Sequence, residues 1–177
     1  MRVVSGIYKS RRINVPANLP VRPTTDFAKE SLFNILNNRI HFEEISVLDL
    51  FAGTGSISLE FISRGAKDAV CVDVNFSCIK FIKKIIEEFK LENLHPVNKN
   101  VFTYLNYCQN KFDIIFADPP YDMEGIETIP EIVFSKNILN KNGWLIVEHS
   151  NKINFSQHQH FCELRKYGNV NFSLFYL

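Results

Sequence analysis

The tetrapeptide Asp118-Pro119-Pro120-Tyr121 follows the apolar run Phe112 to Ala117. Two consecutive prolines fix φ and cannot continue a central ladder, so they form a rigid exit from a strand. That rigidity suits one demanding chemistry. An aromatic amino nitrogen is a poor nucleophile, because its lone pair is conjugated with the ring. A carboxylate at Asp118 and the backbone carbonyl of Pro119 can accept its two N–H bonds. They thereby favour a pyramidal nitrogen and stabilise the positive charge that grows as it attacks an electrophilic methyl group. Pro120 stiffens the turn, and Tyr121 can stack on a base held outside its helix. The scheme calls for no metal and no covalent intermediate. A proline pair is also common in ordinary loops, so the case depends on what else shares the site.

A second constellation lies upstream, in Asp49-Leu50-Phe51-Ala52-Gly53-Thr54-Gly55-Ser56, at the end of another apolar run. Glycines there let the backbone turn sharply and approach a ligand closely. In open α/β sheets, ligands bind at the carboxyl ends of the strands. Asp73 ends the next strand and can accept the hydroxyl hydrogen bonds of a ribose. Ser58 occupies the position of the third glycine of a dinucleotide fingerprint, which argues against a pyrophosphate. An acid at Asp49 would also repel phosphate, but suits a cationic amino-acid ligand such as the methionine part of S-adenosylmethionine (SAM). The expected cofactor contacts are Asp49, Phe51, Ala52, Gly53, Thr54, Gly55 and Asp73. Asn100 and the backbone N–H of Val101, after the third strand, are candidates for the adenine. A plain strand-to-helix turn rich in small residues is the bland alternative.

The elements that must position these groups alternate regularly. Apolar or β-branched runs at Ile45 to Leu50, Asp68 to Asp73, Leu94 to Asn98, Phe112 to Ala117 and Gly143 to Glu148 read as strands. Helical spacing is seen at Thr25 to Asn37, Ile57 to Arg64 and Phe76 to Phe89, and a further helix is expected near Pro130. Thr24 or Thr25 can cap the first of these. Such alternation predicts βαβ units and a parallel sheet. His160 to Tyr167 and Val170 to Tyr176 flank Gly168-Asn169, a hairpin turn pair.

At 177 residues and 46% hydrophobic, the chain suits one domain spanning residues 1–177. It has no apolar stretch of membrane-spanning length and no secretory signal pattern. Cys71, Cys78, Cys108 and Cys162 form no CxxC pair, which suits a reducing cytoplasm and no metal site. Residues 1–23 hold Arg2, Lys9, Arg11, Arg12 and Arg22 and no acid, whereas the whole chain carries a net charge of only +1. A basic arm on a mildly acidic body points to a polyanion partner, and these five cations are candidate RNA contacts.

In combination, these motifs resemble the bacterial methyltransferases that modify the N2 amino group of a guanine in 16S (small-subunit) ribosomal RNA. RVVSGIYKSRRI (Arg2 to Ile13) is similar to that family's basic N-terminal signature, and RPTTDFAKESLFNIL (Arg22 to Leu36) to its first-helix motif. DLFAGTGSISLEFISRGA (Asp49 to Ala66) and FDIIFADPPY (Phe112 to Tyr121) are similar to its cofactor and catalytic motifs. The resemblance implies a Rossmann-like class I SAM-dependent fold, a mostly parallel seven-stranded sheet with an antiparallel last strand. It implies SAM as cofactor and ribosomal RNA or the small-subunit particle as partner; a monomer in the cytoplasm is the accompanying expectation. The chain departs from the family pattern at Tyr8-Lys9-Ser10 and at Asn100. Three other readings use the same residues: a DNA adenine-N6 methyltransferase, a catalytically silent RNA-binding module, and a small-molecule or protein methyltransferase, against which the basic arm argues mildly. The short chain leaves no space for the target-recognition region of the first. An intact Asp118 and glycine loop argue against the second.

Overall fold

A computed structural model describes residues 1–19, 21, 25–168 and 170–177. Seven strands form one sheet in the order β3-β2-β1-β4-β5-β7-β6. They are β1 (Ser46–Leu50), β2 (Asp68–Asp73), β3 (Leu94–Asn98), β4 (Phe112–Ala117), β5 (Leu139–His149), β6 (Phe161–Tyr167) and β7 (Val170–Tyr176). The first five are mutually parallel, and β7 runs antiparallel to both of its neighbours, β5 and β6. The helices are α1 (Asp26–Asn37), α2 (Ser56–Ser63), α3 (Phe76–Phe89), α4 (Val101–Tyr107) and α5 (Ile129–Ser135). This is the expected Rossmann-like fold, with its one antiparallel strand last in the chain.

Helices cover both faces of the sheet, and alternation along the strands divides the core accordingly. Val47, Ile114 and Ile146 pack with α1, α2 and α3 on one face. Their chain neighbours Leu48, Ile115 and Leu145 pack with α4 and α5 on the other. A strand buried on both faces has to be apolar throughout, which is why these runs do not alternate.

Local chemistry sets the helix starts. Thr25 accepts a bond from the Ala28 N–H at 3.1 Å, and Asn75 caps α3 through the Ser77 N–H at 2.8 Å. Thr24, the other candidate cap, and Asn169 of the hairpin turn lie outside the described residues. Helix α4 was not anticipated. Asn100, a candidate contact for the adenine, also turns its Oδ1 to the Thr103 N–H at 3.1 Å and caps that helix.

The N-terminal segment is folded rather than a loose arm. A bridge pairs Arg2 with Arg12, and Val3 and Ile13 are buried. The segment lies along α2, where the buried Glu60 carboxylate accepts the Val4 N–H at 2.8 Å and the Ser5 N–H at 2.9 Å. At Gly6 a Cβ would meet the Ser63 carbonyl oxygen at 1.7 Å, so only glycine lets the backbone approach this closely. Helix α2 is consequently buried along its whole length.

Candidate active site

Strand order reverses about β1, which has β2 on one side and β4 on the other. Loops leaving the carboxyl ends of these two strands diverge there and open a crevice. It is a cavity of about 580 Å³, lined by Phe51 to Thr54, Asp73 to Asn75, Asn100, Val101, Asp118 to Tyr121, Met123 and Glu148, and also by Val21, Thr25, Ala28 and Val170. That volume lies within the roughly 300–1,000 Å³ usual for cofactor sites. The two constellations read from sequence, far apart in the chain, therefore meet in one space.

The glycine loop is wound tightly. Phe51, Gly53 and Gly55 all have positive φ, at 63°, 53° and 72°. For Phe51 this is a left-handed conformation that side chains rarely adopt, and such strain concentrates at ligand sites. Gly55 permits the turn into α2, where a Cβ would press on Ile82 at 2.9 Å. Asp73 fixes the loop from below: its Oδ2 accepts the Gly53 N–H at 2.8 Å and its Oδ1 the Asn75 N–H at 2.7 Å. Each oxygen keeps acceptor capacity for a ribose hydroxyl. Beside it, Val74 is 68% exposed and lines the cavity, offering an apolar surface suited to a purine ring.

Two expected cofactor contacts are placed elsewhere. Asp49 is 2% exposed and does not line the cavity, and Gly55 lies behind the loop. The Asp49 Oδ2 accepts both the N–H and the hydroxyl of Ser58, pinning the first turn of α2. Sequence shows an acid at a strand end, but not which way its carboxylate turns. Ser58 is thus the partner of Asp49, and a glycine there could not supply the hydroxyl.

Burial pushes the Asp49 carboxyl up to about 7 from an ordinary 3.8, although the two Ser58 bonds pull it down. Between those pH values the folded chain holds a proton that the unfolded chain has released. Stability therefore falls as pH rises through this window. Asp49→Asn keeps an oxygen acceptor for Ser58 and removes the titration. The variant is expected to exceed the parent in stability by about 1–3 kcal/mol at pH 8, with the gap shrinking towards pH 5. Thermal melts across that range check this, and a gap that does not widen with pH rejects it.

The tetrapeptide Asp118-Pro119-Pro120-Tyr121 leaves β4 as a turn, with the Met123 N–H bonded to the Pro120 carbonyl at 2.9 Å. Tyr121 donates its hydroxyl to Glu148 Oε1 at 2.8 Å. Glu148 and His149, given no role from sequence, differ in use. His149 is buried, with its ring nitrogens bonded to the Ser173 hydroxyl at 2.8 Å and the Ser150 carbonyl at 2.7 Å. Its pKa is lowered by burial, and it ties β5 to β7. Glu148 lines the cavity.

The basic residues divide. Arg2 pairs with Asp26 at 3.1 Å and Glu30 at 3.4 Å, holding the N-terminal segment to α1. Arg11 lies over the Phe89 ring at 5.7 Å. Lys9, Arg11 and Arg12 are exposed, none of these cations lines the cavity, and Arg22 is outside the described residues.

A family profile described as Conserved hypothetical protein 95 matches residues 1–176. Ribosomal RNA small subunit methyltransferase D of Escherichia coli strain K12 is 34% identical over 150 residues, spanning 84% of this chain and 71% of that protein. Its namesake in Buchnera aphidicola subsp. Baizongia pistaciae is 30% identical over 154 residues, spanning 87% and 78%. The chain belongs to this methyltransferase D family. Solved structures agree in fold. An Escherichia coli protein described as a methyltransferase superposes with a TM-score of 0.86 at 26% identity, covering 99% of this chain and 97% of that one. A Thermus thermophilus 16S rRNA N2 methyltransferase, solved with AdoMet and guanosine, gives 0.68 at 20% identity, covering 86% and 43%. This family member is a methyltransferase with the SAM-dependent fold.

Proposed function

We propose that the chain transfers a methyl group from SAM to the exocyclic N2 amino group of a guanine in small-subunit ribosomal RNA. The observation that carries this reading is the meeting of Asp118-Pro119-Pro120-Tyr121 with Asp73 and the glycine loop around one cavity. When bound, SAM supplies a methyl group on a positively charged sulfur. Phe51 to Thr54 shape the backbone that receives it, Asp73 accepts from the ribose, and Val74 offers a surface for the adenine. At the target end, Asp118 and the Pro119 carbonyl accept the two amino N–H bonds and aim the nitrogen lone pair at the methyl carbon. Tyr121 stacks on the base. Residues 1–177 work as one domain and a monomer, in the cytoplasm, on ribosomal RNA or the small-subunit particle, without a metal ion or membrane.

The test is incubation with labelled SAM and, separately, total RNA, DNA and small-subunit particles, followed by digestion to nucleosides. Label in N2-methylguanosine from RNA is expected. Label in N6-methyladenosine from DNA would replace this reading with the adenine one, and transfer to nothing would favour a silent binding module.

RNA affinity is expected to draw on the exposed cations of the arm. Each phosphate contact adds about one unit to the slope of log affinity against log salt. Lys9→Ala with Arg12→Ala is therefore expected to weaken RNA binding and lower that slope by about one to two units, leaving SAM affinity and melting temperature near the parent's. Arg2→Ala is expected to do the converse, because its partners are on α1. An unchanged slope in the double variant would show that the arm does not grip RNA.

A further inference from the structure

Phe27 is 60% exposed, although it is a large aromatic residue in the first turn of α1. Thr25 and Ala28, on either side of it in the chain, line the cavity. Its ring meets Tyr167 edge to face, with centroids 6.4 Å apart and planes at 76°. Tyr167 is half-buried. It packs near the buried Phe172 at 6.1 Å and pairs across the β6–β7 hairpin with Val170, which also lines the cavity. The two rings therefore stand beside the wall formed by Thr25, Ala28 and Val170, with Tyr167 rooted in the core and Phe27 open to solvent.

Topology fixes which end of the cavity this is. Strand β7 runs antiparallel to β5 and sets Asn171 opposite His149, so the hairpin turn lies at the carboxyl ends of the parallel strands. In the sheet order the hairpin is beyond β4 and β5, on the side of the tetrapeptide and away from β2, which carries Asp73. The aromatic pair thus adjoins the target end rather than the cofactor end.

A base reaches the tetrapeptide only when its nucleotide is drawn out of the stack, which costs contact with both neighbours. Those neighbours stay covalently joined to it and have to lie at the mouth of the cavity. An aromatic ring there can replace the lost contact, because every base has a face to stack. Local charge suits an RNA strand. Asp26 and Glu30, the acids nearest Phe27 in the chain, are both paired with Arg2, and the exposed Lys166 adjoins Tyr167.

We propose that Phe27, propped by Tyr167, is a stacking platform for the nucleotide next to the methylated guanine. The inference rests on the guanine-N2 reading above and adds a contact that holds the RNA open around its target.

The experiment uses the RNA or particle identified by the labelling assay, either intact or with an abasic nucleotide immediately 5′ or 3′ of the target. Phe27→Ala is expected to raise the KM for intact substrate roughly 5- to 100-fold, with SAM affinity and melting temperature near the parent's. The salt slope of RNA binding is expected to stay at the parent's value, because stacking releases no counterions. Phe27→Trp keeps a stacking face and is expected to stay within a few-fold of the parent. One of the two abasic substrates is expected to cost the parent about as much as Phe27→Ala does, and to cost Phe27→Ala little more. Fully additive losses with both abasic substrates would show that the ring and a flanking base do not meet, and equal failure of Phe27→Trp and Phe27→Ala would show a packing role. A change in the sedimentation of the free protein would assign the ring to a second copy of this chain. Each of these results overturns the proposal while leaving the guanine reading in place. A parent that methylates no RNA would overturn the guanine reading itself, and this inference with it.

Discussion

Asp118→Ala is expected to bind SAM as the parent does and to lose methyl transfer by roughly 100- to 1,000-fold. The amine's lone pair is delocalised into the ring until its N–H bonds are drawn out of conjugation. In the proposed transfer the Asp118 carboxylate is one of the two acceptors and the Pro119 carbonyl the other. Because the prolines fix the exit from β4, these acceptors are in place before the base arrives, and no reorganisation is needed at the moment of reaction. In the proposed site SAM is bound by Asp73 and the glycine loop, which line the same cavity and do not need the Asp118 side chain. Asp118→Asn keeps an oxygen acceptor without its charge and is expected to fall between the two. Single-turnover rates at saturating RNA, with calorimetric SAM affinity as control, decide the matter. An Asp118→Ala rate within a few-fold of the parent's would remove the carboxylate from the chemistry.

The other large effect is on stability. Glu60 is 0% exposed and meets four donors: the Val4 and Ser5 N–H groups, Arg64 Nε at 2.9 Å and Lys29 Nζ at 3.7 Å. Lys29 is itself buried, and also donates to the Ser56 hydroxyl at 3.0 Å and the Arg2 carbonyl. Burial lowers the Lys29 pKa, against which Glu60 acts. Removing the acid would strand that cation and two backbone N–H groups. Breaking a buried pair from one side costs about 3–5 kcal/mol. Glu60→Ala is expected to lose about that much in urea unfolding and to expose residues 1–13 to proteases. Lys29→Met is expected to be milder, since Glu60 keeps Arg64 and the two backbone donors. A Glu60→Ala loss below about 0.5 kcal/mol, the scale of an ordinary surface change, would show that the N-terminal segment is not clamped.

Glu60 also shows where sequence reading stops. Strands β2, β3 and β4 and helix α3 were legible because their apolar runs or helical periodicity depend on neighbours in the chain. Glu60 reads as one polar position on a short helix, and only the docking of residues 1–13 makes it an interior acceptor. A clue was present in Ile57, Leu59, Phe61 and Ile62, which face several directions and so require cover on more than one side. The short α4 is not legible because nothing in the sequence around Asn100 shows that its side chain caps a helix as well as lining the cavity. The start of β5 was missed because Asn140, Lys141 and Asn142 are polar, and the pairing with β4 shifts register at Phe112/Ile114. At the site, residue types announced the tetrapeptide and the glycine loop. The turn of Asp49 towards Ser58, and of Tyr121 towards Glu148, depends on packing that no spacing encodes.

The position of β7 has a consequence for synthesis. It lies between β5 and β6 and contributes the fully buried Phe172, Leu174 and Phe175. Until it arrives, the nascent chain presents one side of β5 as an open row of backbone N–H and C=O groups, next to unfilled apolar sockets. Bare edges of this kind template pairing with other chains. At about 5–20 residues per second, translation from the end of β5 to the end of β7 takes roughly one to five seconds. Chains stalled or truncated in that interval would hold most of the cofactor-side strands and yet be the most prone to aggregate, so productive folding depends on the last strand being threaded into a sheet already largely assembled.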